Sequence, residues 1–145
     1  MKIFLLILGL LFAVILQITF LPFISFIGVG PNLVLVVILI LVITQKFEKV
    51  WWLILLTGLF LDFLVGLPLG LVSLSLISTA YLIDRFNQSV FSKVSFWVLI
   101  ILVASGSLIY NLLLLNFSLR YLLIEIVYNL IIALIFYVGF KKIFR

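Results

Sequence analysis

The chain has 145 residues, of which 68% are hydrophobic and 9% charged, and its formal net charge is +5. A soluble domain is about half apolar and about a quarter charged, so this composition leaves too little polar surface to cover a core and points to the bilayer as the solvent. The absence of cysteine and histidine excludes disulfides, thiol chemistry, Cys/His metal sites and every catalytic scheme built on imidazole.

In chain order, the sequence predicts six hydrophobic spans, at 3–21, 27–44, 50–65, 68–83, 94–115 and 121–140. A spanning helix needs about 20 apolar residues, in a range of about 17–25. By that measure the first, second, fifth and sixth fit, while the third and fourth are slightly short and are separated only by Gly66 and Leu67. The first span follows Lys2 but lacks a small-x-small cleavage site, its end being the bulky run Gln17 to Pro22; it is expected to be a retained helix. Basic residues set the orientation. Lys2, Lys46, Lys49, Arg85, Lys93, Lys141, Lys142 and Arg145 fall on one side and Arg120 alone on the other. Both termini are therefore expected in the cytoplasm, with outer loops at 22–26, 66–67 and 116–120 and inner loops at 45–49 and 84–93. Trp51, Trp52, Tyr81 and Trp97 fall near inner helix ends, as an aromatic belt would. The whole chain, 1–145, reads as one all-α integral membrane domain with no linker, repeat or low-complexity tract. The basic residues come in ones and twos, which gives no nucleic-acid patch.

The polar residues gather toward one leaflet. At about 1.5 Å per residue, Asp62 lies roughly 18 Å from the inner face. Gln17, Asn32, Asn111, Glu125 and Asn129 fall in the same outer half, and the inner half shows nothing comparable. Polar side chains near helix ends can snorkel or bond between helices, but aspartate is too short to snorkel far. A carboxylate at the centre of a span costs about 2.5–3.5 kcal/mol on insertion scales. Asp62 also stands in the last turn of the third helix, where the dipole disfavours an anion. Three things could offset this: the free N–H groups of a fourth helix opened by Pro68, the cation Arg120, or a proton on the carboxylate itself. Gly66 and Gly70 are expected to let the two backbones approach. Asp62 is thus expected to pin a tight hairpin. Ser105, Gly106 and Ser107, and Ser73, Ser75 and Ser78, supply small-residue strips for close helix packing. No phosphate loop, nucleophile elbow, HExxH motif or usable carboxylate pair is present, so no catalytic, cofactor or metal site is expected.

The stretch 57–70, TGLFLDFLVGLPLG, resembles the central signature of the rod shape-determining protein MreD family: a glycine, a hydrophobic stretch, an aspartate, a short spacer, then Gly-x-Pro-Leu-Gly. The matching positions are Gly58, Asp62, Gly66, Pro68, Leu69 and Gly70. Upstream, Pro31-Asn32-Leu33 looks like that family's element opening the second helix, and Tyr81 falls where a Tyr-Leu pair often closes the fourth. The resemblance implies a non-catalytic scaffold in the bacterial inner membrane. It would bind an MreC-like bitopic protein and be linked to MreB, the glycosyltransferase RodA and an elongation-specific penicillin-binding transpeptidase. It also implies an architecture similar to the substrate-binding subunits of energy-coupling-factor vitamin transporters. That makes a transporter subunit the alternative, with Gln17, Asn32, Asp62, Asn111, Glu125 and Asn129 lining an outward-facing pocket.

Overall fold

A computed structural model describes residues 2–91, 95–115 and 118–139. Lys93, Lys141, Lys142 and Arg145, used above to orient the chain, lie outside them, as do the expected limits of the fifth and sixth spans at Val94 and Phe140. The described residues form six α-helices and no strand: α1 Lys2–Thr19, α2 Leu33–Gln45, α3 Phe47–Val65, α4 Leu71–Val90, α5 Phe96–Leu113 and α6 Leu119–Gly139. Two of these, α5 and α6, are long and apolar enough to cross a membrane.

The bundle is organised around α2. It touches each of the other five helices. Val34, Leu35, Val36, Ile38, Leu39 and Val42 are wholly buried, including three consecutive residues. A helix apolar on every side belongs in the middle of a protein, and β-branched residues dominate this one. At 13 residues it is only about 20 Å long, too short to cross a hydrocarbon core of about 30 Å.

The second span was expected from residue 27, and the chemistry of 26–32 explains why α2 starts later. Phe26 and Val29 exchange backbone hydrogen bonds of 2.9 and 3.0 Å around Ile27 and Gly28, whose φ values are +54° and +77°. Two central residues in the left-handed region make a tight reversal. Pro31 then disfavours helix at Gly30, and Asn32 caps the helix by accepting from the Leu35 N–H at 3.1 Å. A short 3-10 turn, Leu21–Ile24, leads into this connection.

The third and fourth helices are longer than expected. Helix α3 begins at Phe47 and α4 runs to Val90, so most of the two expected inner loops is helical. Lys46, at φ +68°, alone separates α2 from α3. Charged residues such as Glu48, Lys49, Asp84 and Arg85 read as loop by composition, yet they are compatible with helix interiors. Pro68 does not open α4. It stands in the turn before it, and its carbonyl accepts the Leu71 N–H at 3.1 Å.

The exterior of the bundle is apolar. Phe4, Phe12, Phe23, Phe63, Leu69, Leu74, Trp97, Leu119, Ile135 and Val138 are all more than half exposed, far beyond the scattered apolar residues of a soluble surface. Only Asn129 and Ala133 of α6 are buried, which makes α6 the most peripheral helix.

Candidate functional site

The polar residues singled out above assemble at the end of the bundle that carries the α3–α4 turn, here called the hairpin end. They form two groups, and each completes the N-terminus of a helix whose own cap residue leaves donors unserved.

The first group is the α3–α4 hairpin. Asp62 is completely buried. Its carboxylate accepts from the backbone N–H of Gly70 at 2.9 Å, Val72 at 2.9 Å and Ser73 at 3.3 Å. The N-cap position of α4 is Gly70, which has no side chain to offer. A cap residue ordinarily serves the second and third N–H groups of its helix, and Asp62 does so from the preceding helix. With Leu71 bonded to Pro68 and Leu74 to Gly70, the free donors of the first turn are accounted for. The anion also lies against the positive end of the α4 dipole, which offsets its unfavourable place at the end of α3. Arg120 is exposed and is not among the partners of Asp62.

The glycines divide their work differently from the expectation. A Cβ on Gly58 would stand 2.3 Å from Ser73 Cα, so the two backbones touch here. Added Cβ atoms on Gly66 and Gly70 would meet nothing within 4 Å. Their role is conformational: φ is +72° and +100°. Gly66 ends α3 in the left-handed form, and the N–H groups of Gly66 and Leu67 both return to the Asp62 carbonyl. Asp62 therefore closes α3 with its backbone and opens α4 with its side chain. Gly58 and Asp62 stand four apart, on one face.

The second group surrounds the start of α2. The Asn32 N–H donates to Asn129 Oδ1 at 2.9 Å, and the Val34 N–H to Gln17 Oε1 at 2.8 Å. With Asn32 capping Leu35, side chains from α1, α6 and the chain itself satisfy three donors at the end of a buried helix. Unpaired, each would cost about 1–3 kcal/mol. Asn129 Nδ2 donates onward to Ser107 Oγ at 2.8 Å, and Asn111 Nδ2 to Glu125 Oε2 at 3.0 Å. Ser107 and Asn129 are fully buried. Beside them Gly106 faces Leu39, 2.7 Å from the nearest methyl to where a Cβ would be. The Tyr128 hydroxyl donates to the Ile24 carbonyl at 2.9 Å and ties α6 to the α1–α2 connection.

Gln17, Asn32, Asn111 and Glu125 line a cavity of about 420 Å³ together with Tyr110 and the backbone of the α1–α2 connection. Asp62 does not line it, although it stands within electrostatic reach of the Tyr110 hydroxyl. Arg120, an expected member of the outer cluster, is outside it as well. Among the described residues no three His, Cys, Asp or Glu side chains are grouped to hold a metal ion.

The opposite end is less bare than expected. Asp84 is 4% exposed and accepts from Gln88 Nε2 at 2.8 Å, and Arg85 lies over the Tyr81 ring at 5.4 Å. Counting 84–93 as a loop left Asp84 and Gln88 unremarked, while Tyr81 and Arg85 were read as belt and orientation residues. Sequence reasoning also passed over Tyr110 and Tyr128.

Comparison with known proteins gave no match to a protein-family model, a curated protein or a solved structure.

Proposed function

We propose that the chain is a non-catalytic, multi-pass scaffold of the bacterial inner membrane, a component of the cell-elongation complex that binds an MreC-like bitopic protein and helps organise peptidoglycan synthesis. The observation that carries this reading is the hairpin at 57–70. Gly58, Asp62, Gly66 and Gly70, the positions through which the chain resembles the MreD signature, each have a distinct physical role there: contact, cap and two left-handed turns. A rigid, fully satisfied hairpin suits a docking element better than a moving gate. In this reading all six helices lie within the membrane, the hairpin faces outward and both termini are cytoplasmic. The apolar exterior supports immersion in lipid, with α2 shielded by its neighbours so that its short length costs nothing.

Topology is directly testable because the chain has no cysteine. Leu67→Cys, 40% exposed in the turn, should react with a membrane-impermeant maleimide added to intact cells, and Lys46→Cys should react only after permeabilisation. The reverse pattern overturns the orientation.

The alternative, a substrate-binding subunit of a vitamin-type transporter, draws support from the polar cavity. A thermal-shift screen with vitamins separates the two. A melting point that rises with vitamin concentration favours the transporter, and an unchanged one favours the scaffold.

A further inference from the structure

We propose that an anionic phospholipid binds in the seam between α1 and α3, with its phosphate at Lys49 and one acyl chain lying along the two helices. The proposal uses the membrane placement given above but neither the hairpin nor its protein partner, so the two readings can fail separately.

Two cavities follow one another along this seam. The first, of about 430 Å³, lies at the start of α3, where Gln45, Lys49 and Trp52 face Ile3 of α1. The second, of about 270 Å³, runs on between Leu10 and Val14 of α1 and Thr57 and Phe60 of α3. Leu53 lines both. On α3 the lining positions 49, 53, 57 and 60 are three or four apart and share one face. In the second cavity the floor is buried, with Val14 at 1% and Leu53 at 4% exposure, while the rims Leu11 and Leu56 stand out at 41% and 54%. The seam is therefore an open trough. Thr57, the polar side chain of the second cavity, donates its hydroxyl to the Leu53 carbonyl at 2.7 Å, so what faces a ligand there is hydrocarbon.

The Lys49 end has the opposite chemistry. The Lys49 ammonium, the Gln45 amide and the Trp52 indole are all donors, and no described residue accepts from any of them. Lys49 and Gln45 are exposed and Trp52 is half-buried, so a ligand can reach them. Lys49 also stands in the first turn of α3, where the helix dipole favours an anion. No carboxylate lines either cavity; Glu48, beside Lys49 in the chain, lines neither. A cation with unused donors beside an apolar trough matches a phosphate that carries a hydrocarbon chain. Free phosphate would leave the trough empty, and a headgroup with its own cation would find no carboxylate to meet it.

The length agrees. Phe60 is eleven positions beyond Lys49, which is about 16 Å at about 1.5 Å per residue. One leaflet of a hydrocarbon core of about 30 Å is about 15 Å deep. A partner helix is a poor occupant, because at about 10–12 Å across it would lie over the trough without entering it.

The test uses the full chain in nanodiscs holding equal amounts of phosphatidylglycerol and phosphatidylcholine, with retained lipid read by native mass spectrometry. The wild type should keep phosphatidylglycerol in preference to phosphatidylcholine by about fivefold, the worth of one lysine beside an anionic headgroup. Lys49→Gln should erase the preference and Lys49→Arg should keep it. Both change an exposed residue, and melting curves check that they fold. Leu11→Trp, which fills the trough from its exposed rim, should lower retention of both lipids. Equal retention of the two lipids by the wild type, or an undiminished preference in Lys49→Gln, overturns the proposal. So does a protein held in place of lipid after extraction from native membranes and released by Leu11→Trp.

Discussion

Asp62→Leu is the most informative single substitution. It removes both oxygens that accept from Gly70, Val72 and Ser73 and adds no clash, since leucine is of similar length. Gly70 is only half buried and Val72 and Ser73 are buried, so two donors are left with neither protein nor water. At about 1–3 kcal/mol each, the loss is about 2–6 kcal/mol. The insertion cost of an aspartate does not cancel this. In the membrane reading proposed above, folding starts from helices already inserted, so the insertion cost is met before the carboxylate moves from lipid to its buried cap site. Leucine gains little there, because lipid tails are as apolar as its new neighbours. At about 2–4 °C per kcal/mol for a chain of this size, a central loss of about 4 kcal/mol lowers the melting point by about 8–16 °C. Thermal unfolding in detergent, followed by tryptophan fluorescence, measures it. Asp62→Asn retains one acceptor oxygen and should fall between the two. An Asp62→Leu protein that melts within 2 °C of the wild type, on the order of the assay error, would refute the capping argument.

The remaining predictions concern the same end of the bundle. Gly58→Ala should destabilise by about 1–3 kcal/mol or more, because the new Cβ meets Ser73 Cα at 2.3 Å. Adding Ser73→Gly should not rescue it, since the clash is with backbone, and melting curves of single and double variants check this. Gly66→Ala and Gly70→Ala should each cost about 1–2 kcal/mol, through backbone strain rather than contact, and Gly66→Asn should cost less than Gly66→Ala. Gln17→Leu should leave the Val34 N–H unpaired and speed its hydrogen exchange by about tenfold or more, with the exchange of α5 unchanged. Asn129→Leu should be worse than Gln17→Leu in the melting assay, because Asn129 bonds both Asn32 and Ser107.

How far the sequence could be read depended on whether a signal was local. The hairpin was legible because its parts lie within fourteen residues: a carboxylate at a helix end, three glycines and a proline. Even so, Pro68 suggested a helix start that Gly70 occupies, since proline suits a turn as well as a first helical position. The boundaries of α2, α3 and α4 were misjudged for a common reason. Apolarity was used to mark helix, so the charge-bearing helical segments 47–49 and 84–90 read as loop and the apolar turn residues 27–29 read as helix. The polar network was half legible. Ser107 and Asn111, and Glu125 and Asn129, are each four apart, and in an antiparallel α5–α6 pair a step of four forward meets a step of four back. That pairs Ser107 with Asn129 and Asn111 with Glu125, as observed. The central position of α2 was not readable, because burial by five neighbours and burial by lipid select the same residues. Its need for caps from Gln17 and Asn129 follows only once that position is known.

The central claim is that the hairpin serves a protein partner. Its most direct test is purification of the tagged chain from native membranes in mild detergent, with identification of the proteins retained. The account predicts a bitopic protein with a single span and a large outer domain, held by the wild type and lost with Asp62→Leu. Recovery of ATPase subunits instead, or of the chain alone with a vitamin bound, contradicts it.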